Sequence, residues 1–310
     1  GTPWAAMQRV LAAHGQMVAL DPLWAGRATV GGVLAANDSG AWRVRYGGAR
    51  DLVIGMTLVL ADGTVAKTGG KVVKNVAGYD LHKLMLGAFG TLGVITEVTF
   101  RLHPLPRELR SVTLRGADSA ALRSVLDSIR GSHLLVEGLQ VRAAGMEPCV
   151  DLQLSALPDG EAMRTVAALA AAARCMVEPA AESVWAERES LFVPPNRLVV
   201  KAGVLPQDVV SFADEVYRQG GACVAQSVGA LLASFPGDAV SFRLAEEFRE
   251  RVGLRGGTTV LLRRTAASSG AAWSALASDG EAGMGFPLMR EIKRRFDPER
   301  LLNRGAMGGV

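Results

Sequence analysis

Cysteine is almost absent. Three occur in 310 residues, Cys149, Cys175 and Cys223, far apart and in no C-x-x-C pair. That excludes a disulfide framework and fits a reducing compartment. An iron–sulfur cluster normally takes four thiolates, so this chain alone does not hold one. Histidine is nearly as sparse. His14, His82, His103 and His133 show no H-x-H or H-x-x-x-H spacing, which removes the commonest metal arrangements. Each is expected on the surface or in a loop, and no metal site is expected. Aromatic residues make up only 5%, and the charge balance is a mild 34 − 30 = +4. Without a basic stripe interleaved with stacking aromatics, a nucleic-acid partner is not expected. The one basic cluster, Arg290, Lys293, Arg294 and Arg295, reads as a solvated helix face. No apolar run is long enough to cross a membrane, so no integral membrane segment is expected.

What is there is small and aliphatic. Hydrophobic residues reach 49% and glycine numbers 36, enough for a sizeable core and against global disorder. The length suits two domains. The pattern predicts a helix over Trp4–Ala13 and strand-like stretches at Asp51–Ile54, Met56–Leu60 and Val65–Thr68 around an Asp62-Gly63 turn. It further predicts a short helix over Asp80–Leu86 with Asp80 as N-cap, and a strand over Gly93–Leu102. His103-Pro104-Leu105-Pro106 breaks the structure, and the domain boundary is placed there.

Beyond it come a strand at Glu108–Arg115, an amphipathic helix at Ser119–Arg130, strands at Leu134–Val141 and Val150–Ala156, and a helix at Gly160–Arg174. Then follow Arg197–Val204, Gln207–Gln219, Ala222–Ser227, Ala239–Arg251 and Thr258–Arg264 as β, α, β, α, β. Two β-α-β-type halves suggest a ferredoxin-like antiparallel sheet with helices on one face. A last helix, Pro287–Phe296, is expected to return to the first domain. The class is α+β, with domains at 1–106 and 107–285 and a returning segment at 286–310.

The segment Ala28–Gly40, ATVGGVLAANDSG, concentrates chemistry. Gly31 and Gly32 have no Cβ to obstruct a ligand, and turn-rich backbone exposes N–H groups that cradle an anion such as a diphosphate. A dinucleotide-binding G-x-G-x-x-G opening a helix directly after a strand does not fit the spacing of TVGG. Alone the segment is a weak signal. Its companions make it specific: YGGARDLVIG (Tyr46–Gly55), VLADGTV (Val59–Val65) and GYDLHKLMLGAFGTLGVITEV (Gly78–Val98).

That ordered set resembles the second half of the FAD-binding domain of the vanillyl-alcohol oxidase, or PCMH, type. The tail MREIKRRFDPERLLNRG (Met289–Gly305) resembles the family's closing motif. Within the family, GGKVVKNVAGYDL (Gly69–Leu81) looks most like the FAD-binding subunit of glycolate oxidase. The likeness is strong over residues 1–106 and good over 285–305. Two positions depart from it: Phe89 stands where the family usually has Glu, and Arg304 where many members have Pro. The chain begins like the middle of a domain. The resemblance therefore implies a PCMH-type domain whose first subdomain is largely missing, followed by a ferredoxin-like α+β cap. On that ground the chain as written is expected to hold FAD poorly.

The resemblance implies FAD as cofactor. Thr29, Val30, Gly31 and Gly32 then supply donors and clearance. Asn37, Ser39 and Gly40 reach the diphosphate or the ring edge. Val94 and Ile95 lie along the cofactor, and Asn303 approaches the flavin end. Lys74 and Asn75 sit where a cation could steady a reduced ring, with a surface loop as the plainer reading. No histidine-rich segment occurs in the cap, so no catalytic base is evident. The implied role is that of the FAD-binding component of a glycolate oxidase complex, with a sister flavin subunit and an iron–sulfur subunit as partners and a small hydroxy acid as substrate. A stand-alone FAD-dependent oxidoreductase and a non-catalytic scaffold are the alternatives. The expected location is cytoplasmic, at most peripheral to the inner membrane through the complex.

Overall fold

A computed structural model gives the fold. It describes residues 1–71, 79–106, 108–155, 160–193, 195–265 and 285–306. Lys74, Asn75 and Gly78 lie outside the described residues. The chain divides into two compact units. The first holds Gly1–Leu105 and part of the C-terminal stretch Glu281–Val310, and the second runs over Pro106–Trp273.

The first unit opens with α1 (Trp4–Ala12), started by an extended Pro3. Proline suits a helix start because its missing N–H would be unpaired there anyway. Trp4 is fully buried and stands edge-on to Phe100, with centroids 6.2 Å apart. Strand β1 (Gln16–Met17) follows, then α2 (Val30–Ala36), α3 (Arg43–Tyr46) and α4 (Ala49–Leu52). Next come β2 (Val53–Val59), β3 (Val65–Gly69), α5 (His82–Met85), β4 (Val94–Phe100) and β5 (His103–Pro104). The strands form an antiparallel sheet β3-β2-β4 and a small pair β1-β5. The β2–β3 hairpin closes Val59 on Val65, and the Asp62 carboxylate accepts the Thr64 N–H at 2.9 Å. Its core joins Trp4, Leu20, Leu34, Leu52 and Met56, with Ile292 and Phe296 packed against it.

The second unit repeats one motif twice. Its first half is β6 (Leu109–Gly116), α6 (Ser119–Arg130), β7 (Val136–Ala143), β8 (Cys149–Ser155), α7 (Glu161–Ala172) and β9 (Cys175–Pro179). A linking α8 (Glu187–Ser190) precedes the second half: β10 (Leu198–Gly203), α9 (Val209–Arg218), β11 (Ala222–Gln226), β12 (Ala230–Phe235), α10 (Ala239–Leu254) and β13 (Thr258–Arg263). The sheet order is β13-β10-β12-β11-β7-β8-β6-β9, all antiparallel. Each half is a βαββαβ unit in the order fourth, first, third, second, and the two join through their second strands. The ferredoxin-like expectation is therefore met twice over. Leu139, Val141, Leu152 and Leu154 are buried on one face. On the other face Asp151, fully buried, accepts from Thr113 Oγ1, Gln140 Nε2 and both Arg142 Nε and Nη2 at 2.8–3.1 Å. Helix α11 (Gly285–Phe296) belongs to the first unit again.

Several expectations need correction. Ala28–Gly40 is not turn-rich backbone throughout, because Val30–Ala36 is helical. Thr29 caps it, its hydroxyl accepting from the Gly32 N–H, which offsets the poor helix propensity of the paired glycines. Asp80 is not an N-cap. Leu81 holds that place, and Asp80 pairs instead with Lys83 Nζ at 2.5 Å. Asp51 lies in α4, where it bonds the Gly48 N–H at 2.8 Å. The His103-Pro104 pair does not break the structure outright but pairs with Met17 and Gln16. His82 is buried, with Nδ1 3.4 Å from Thr68 Oγ1. Lys293, read as part of a solvated face, is buried as well.

Candidate cofactor site

The site begins at α2. Backbone bonds from Trp4 N to Ala28 O (2.8 Å) and from Val30 N to Thr2 O (2.9 Å) fix the segment that enters it. Thr29 then caps: its Oγ1 accepts the Gly32 N–H at 3.1 Å, and its carbonyl accepts the Val33 N–H at 3.0 Å. Of the first-turn donors, Gly31 N–H, second in the helix, has no acceptor within the helix. Asn37 ends α2 in the left-handed conformation, φ 46°, which asparagine tolerates.

The loop between α5 and β4 folds back onto the same helix. Gly87 N–H reaches Leu34 O at 3.1 Å, and Phe89 N–H reaches Ala35 O at 2.8 Å. Ala35 O is one of the carbonyls left open at the C-terminal end of α2, whereas Leu34 O, which also takes the Asn37 N–H, accepts a second bond. Between α2 and this loop lies a cavity of about 290 Å³. Gly31, Gly32 and Ala35 line it on one side, and Met85, Ala88, Phe89, Gly90, Leu92, Gly93, Val94 and Ile95 on the other. Its walls are mostly apolar, with backbone where the glycines stand.

A Cβ built on Gly31 would meet nothing within 4 Å. A Cβ on Gly32 would stand 3.0 Å from Thr29 Oγ1, against the cap. The two glycines thus differ. Gly31 leaves open space beside the cavity it lines, whereas Gly32 makes room for the capping hydroxyl.

The structure gathers four of the expected residues, Gly31, Gly32, Val94 and Ile95, around the cavity. The others take supporting places. Val30 packs against the core. Asn37 stands under Gly87, where an added Cβ would come within 3.2 Å of it. Ser39 is buried. The Gly40 N–H is spent on Asp21 Oδ1 at 2.8 Å, and the Gly32 N–H on Thr29, so neither donor is open to a ligand. Asn303 donates to Phe89 O at 2.5 Å rather than lining the cavity.

A group that the sequence reading missed holds the loop from behind. Lys293 Nζ donates to Thr91 O (2.7 Å), Leu302 O (3.1 Å) and Asp297 Oδ2 (2.5 Å). Asp297, fully buried, also accepts the Leu301 and Leu302 N–H groups at 2.8 Å each. Burial alone would raise the Asp297 carboxyl. The Lys293 hydrogen bond and the two N–H groups outweigh it and hold the carboxyl below its ordinary value. The i, i+4 spacing of Lys293 and Asp297 is the one trace of this pair in the sequence.

Other titratable groups respond mainly to burial. Burial lowers His82, with Asp80 opposing it. Burial also lifts the thiols, Cys149 to about 11 and Cys175 and Cys223 upward, so they are protonated structural side chains. No cluster of three or more His, Cys, Asp or Glu able to hold a metal occurs among the described residues. Among them, no helix is long and apolar enough to cross a membrane.

Residues 1–69 match the family model described as "FAD binding domain". A stretch of 116 residues is 41% identical to the glycolate oxidase subunit GlcE of Escherichia coli (strain K12), covering 37% of this chain and 33% of that protein. Over 152 residues the chain is 38% identical to the mitochondrial D-lactate dehydrogenase [cytochrome] of Arabidopsis thaliana, covering 47% and 26%. Over 124 residues it is 40% identical to the glycolate oxidase subunit GlcD of Bacillus subtilis (strain 168), covering 40% and 26%. The matches thus span about a quarter to a third of these relatives. A crystal structure of alkyldihydroxyacetonephosphate synthase superposes over 97% of this chain and 62% of its own, with a TM-score of 0.65 at 16% identity. The fold is that of the synthase structure, and the match of residues 1–69 to an FAD-binding model implies FAD as cofactor.

Proposed function

We propose that this chain is the FAD-binding part of an oxidoreductase acting on small 2-hydroxy acids, and that it works as a subunit of a glycolate-oxidase-type complex. The observation that carries the reading is the cavity between α2 and the loop preceding β4. It is apolar enough for a planar heteroaromatic group and lined by Gly31, whose N–H has no acceptor within α2 and whose missing Cβ leaves room for close approach. The residues present fit the cofactor. Gly31 would donate a backbone N–H to it, Val94 and Ile95 would flank it, and Phe89 and Leu92 would exclude water. FAD, when bound, supplies the acceptor for the hydride taken from a hydroxy acid.

Support for hydroxy-acid chemistry comes from the names of the relatives, two of them glycolate oxidase subunits and one a D-lactate dehydrogenase. Support for a subunit role comes from the same subunit names. It comes also from the protonated, buried cysteines, which suit packing rather than cluster ligation. On this reading the iron–sulfur centre and the substrate base sit on sister chains, in a cytoplasmic assembly at most peripheral to the inner membrane. A second reading, a self-sufficient oxidoreductase, is favoured by the D-lactate dehydrogenase match.

The test is a visible spectrum of the FAD-loaded protein before and after anaerobic addition of glycolate or D-lactate. The complex reading expects the yellow colour to persist with this chain alone and to bleach once sister subunits are added. Bleaching of the isolated chain would overturn it in favour of the second reading. Failure of the chain to take up any FAD would overturn both.

A further inference from the structure

The described residues of the C-terminal tail touch the cavity loop at two carbonyls and line none of the cavity. Asn303 Nδ2 holds Phe89 O, and Lys293 Nζ holds Thr91 O. Phe89 sits at φ 50°, a left-handed conformation that is costly for a bulky residue. Its N–H is tied to Ala35 O on α2. The peptide units on both sides of Phe89 are therefore clamped, one by α2 and one by the tail. Thr91, between the lining residues Gly90 and Leu92, is clamped by an ammonium that spends all three of its donors.

We propose that the tail is a latch for the cofactor cavity. Asn303 and Lys293 are positioning residues that keep Phe89 in its strained conformation, so that its side chain remains a cavity wall. This rests on the FAD reading of the cavity and adds to it a dependence that no lining residue reveals. Lys293 needs Asp297 as counter-charge, since a lone buried ammonium would be expensive. Released from the latch, Phe89 relaxes to negative φ and the wall is lost. Glycine at this position would occupy the left-handed region without strain and would need the latch less.

The experiment is an equilibrium titration of the full 310-residue chain with FAD, read by flavin fluorescence, alongside thermal unfolding of the cofactor-free protein. Asn303→Ala removes one exposed donor. It is expected to weaken FAD by about fivefold, the usual worth of one hydrogen bond, beyond the modest fall in the cofactor-free melting midpoint that alanine brings at a position of φ 41°. Phe89→Gly weakens FAD on its own. In that background, Asn303→Ala should cost clearly less than fivefold, a coupling that simple loss of stability would not produce. Lys293→Met should weaken FAD by more than Asn303→Ala. If it fails to fold, the Asn303 and Phe89 cycle still decides. Equal FAD affinity in wild type and Asn303→Ala, or the same loss in both backgrounds, would overturn the latch while leaving the FAD reading intact. A wild-type chain that binds no FAD would overturn the reading and the latch together.

Discussion

Gly31→Val is the sharpest perturbation the structure offers. Gly31 is helical and is not among the positive-φ glycines. Its added Cβ would meet no atom within 4 Å. Valine in a helix is slightly better than glycine, so the folded state should change by no more than about 0.5 kcal/mol. The cavity is another matter. Under the proposed function the Gly31 N–H donates to an anionic oxygen of FAD, a charge-assisted bond worth about 1.5–3 kcal/mol. The branched side chain would also overlap the ligand, which costs about 1–3 kcal/mol in a packed site. Together these give roughly a hundredfold to ten-thousandfold loss of affinity with an unchanged melting curve.

Gly32→Val is the control, and it should behave in the opposite way. Its Cβ would press on Thr29 Oγ1 from 3.0 Å and dislodge the cap. That costs about 1 kcal/mol of stability, with FAD affinity following only as far as the helix end shifts. Fluorescence titration with FAD and urea unfolding on the same samples separate the two outcomes. Wild-type affinity in Gly31→Val would refute the placement of the cofactor against α2.

Two further outcomes follow from buried charge. Arg142→Leu leaves the fully buried Asp151 without its ion-pair partner, with Thr113 and Gln140 as its remaining side-chain donors among the described residues. It should destabilise the second unit by about 3–5 kcal/mol, seen as a drop in urea midpoint. An unchanged midpoint would show that the pair is dispensable. His82 is held below its ordinary value by burial, so the unfolded chain binds a proton that the native one refuses. The stability it contributes is fully present above about pH 6.5 and is lost as pH falls through the lower native value. His82→Gln should flatten unfolding free energy measured between pH 7 and pH 5.5, and an identical slope would count against this account of His82.

Much of the fold was legible because its signals are local. The hairpin at Asp62-Gly63 and the amphipathic helix Ser119–Arg130, capped by Asp118, announce themselves within a dozen residues. The β9 and β12 strands were missed. The first is a short edge strand with exposed Met176, and the second, ALLASF, is a short run buried almost throughout that no alternation marks. Without them the doubled ferredoxin-like topology reads as two loose halves. At the candidate site, the TVGG glycines line the cavity, but in a helix and not in the turn expected of them. Paired glycines disfavour helix, yet Thr29 as cap and Asn37 as left-handed terminator enclose a helix all the same. Lys293 was hidden by its neighbours. Arg290, Arg294 and Arg295 make the helix look uniformly solvated, and the partner that buries Lys293, the carbonyl of Thr91, lies 202 residues away.

The most direct test is a titration of the 310-residue chain with FAD, with Gly31→Val run beside it. One saturable site per chain, however shallow its isotherm, that disappears in the variant is the expected result. Fluorescence that never saturates, or saturates equally in both proteins, would contradict the claim that the cavity between α2 and the loop before β4 receives the cofactor.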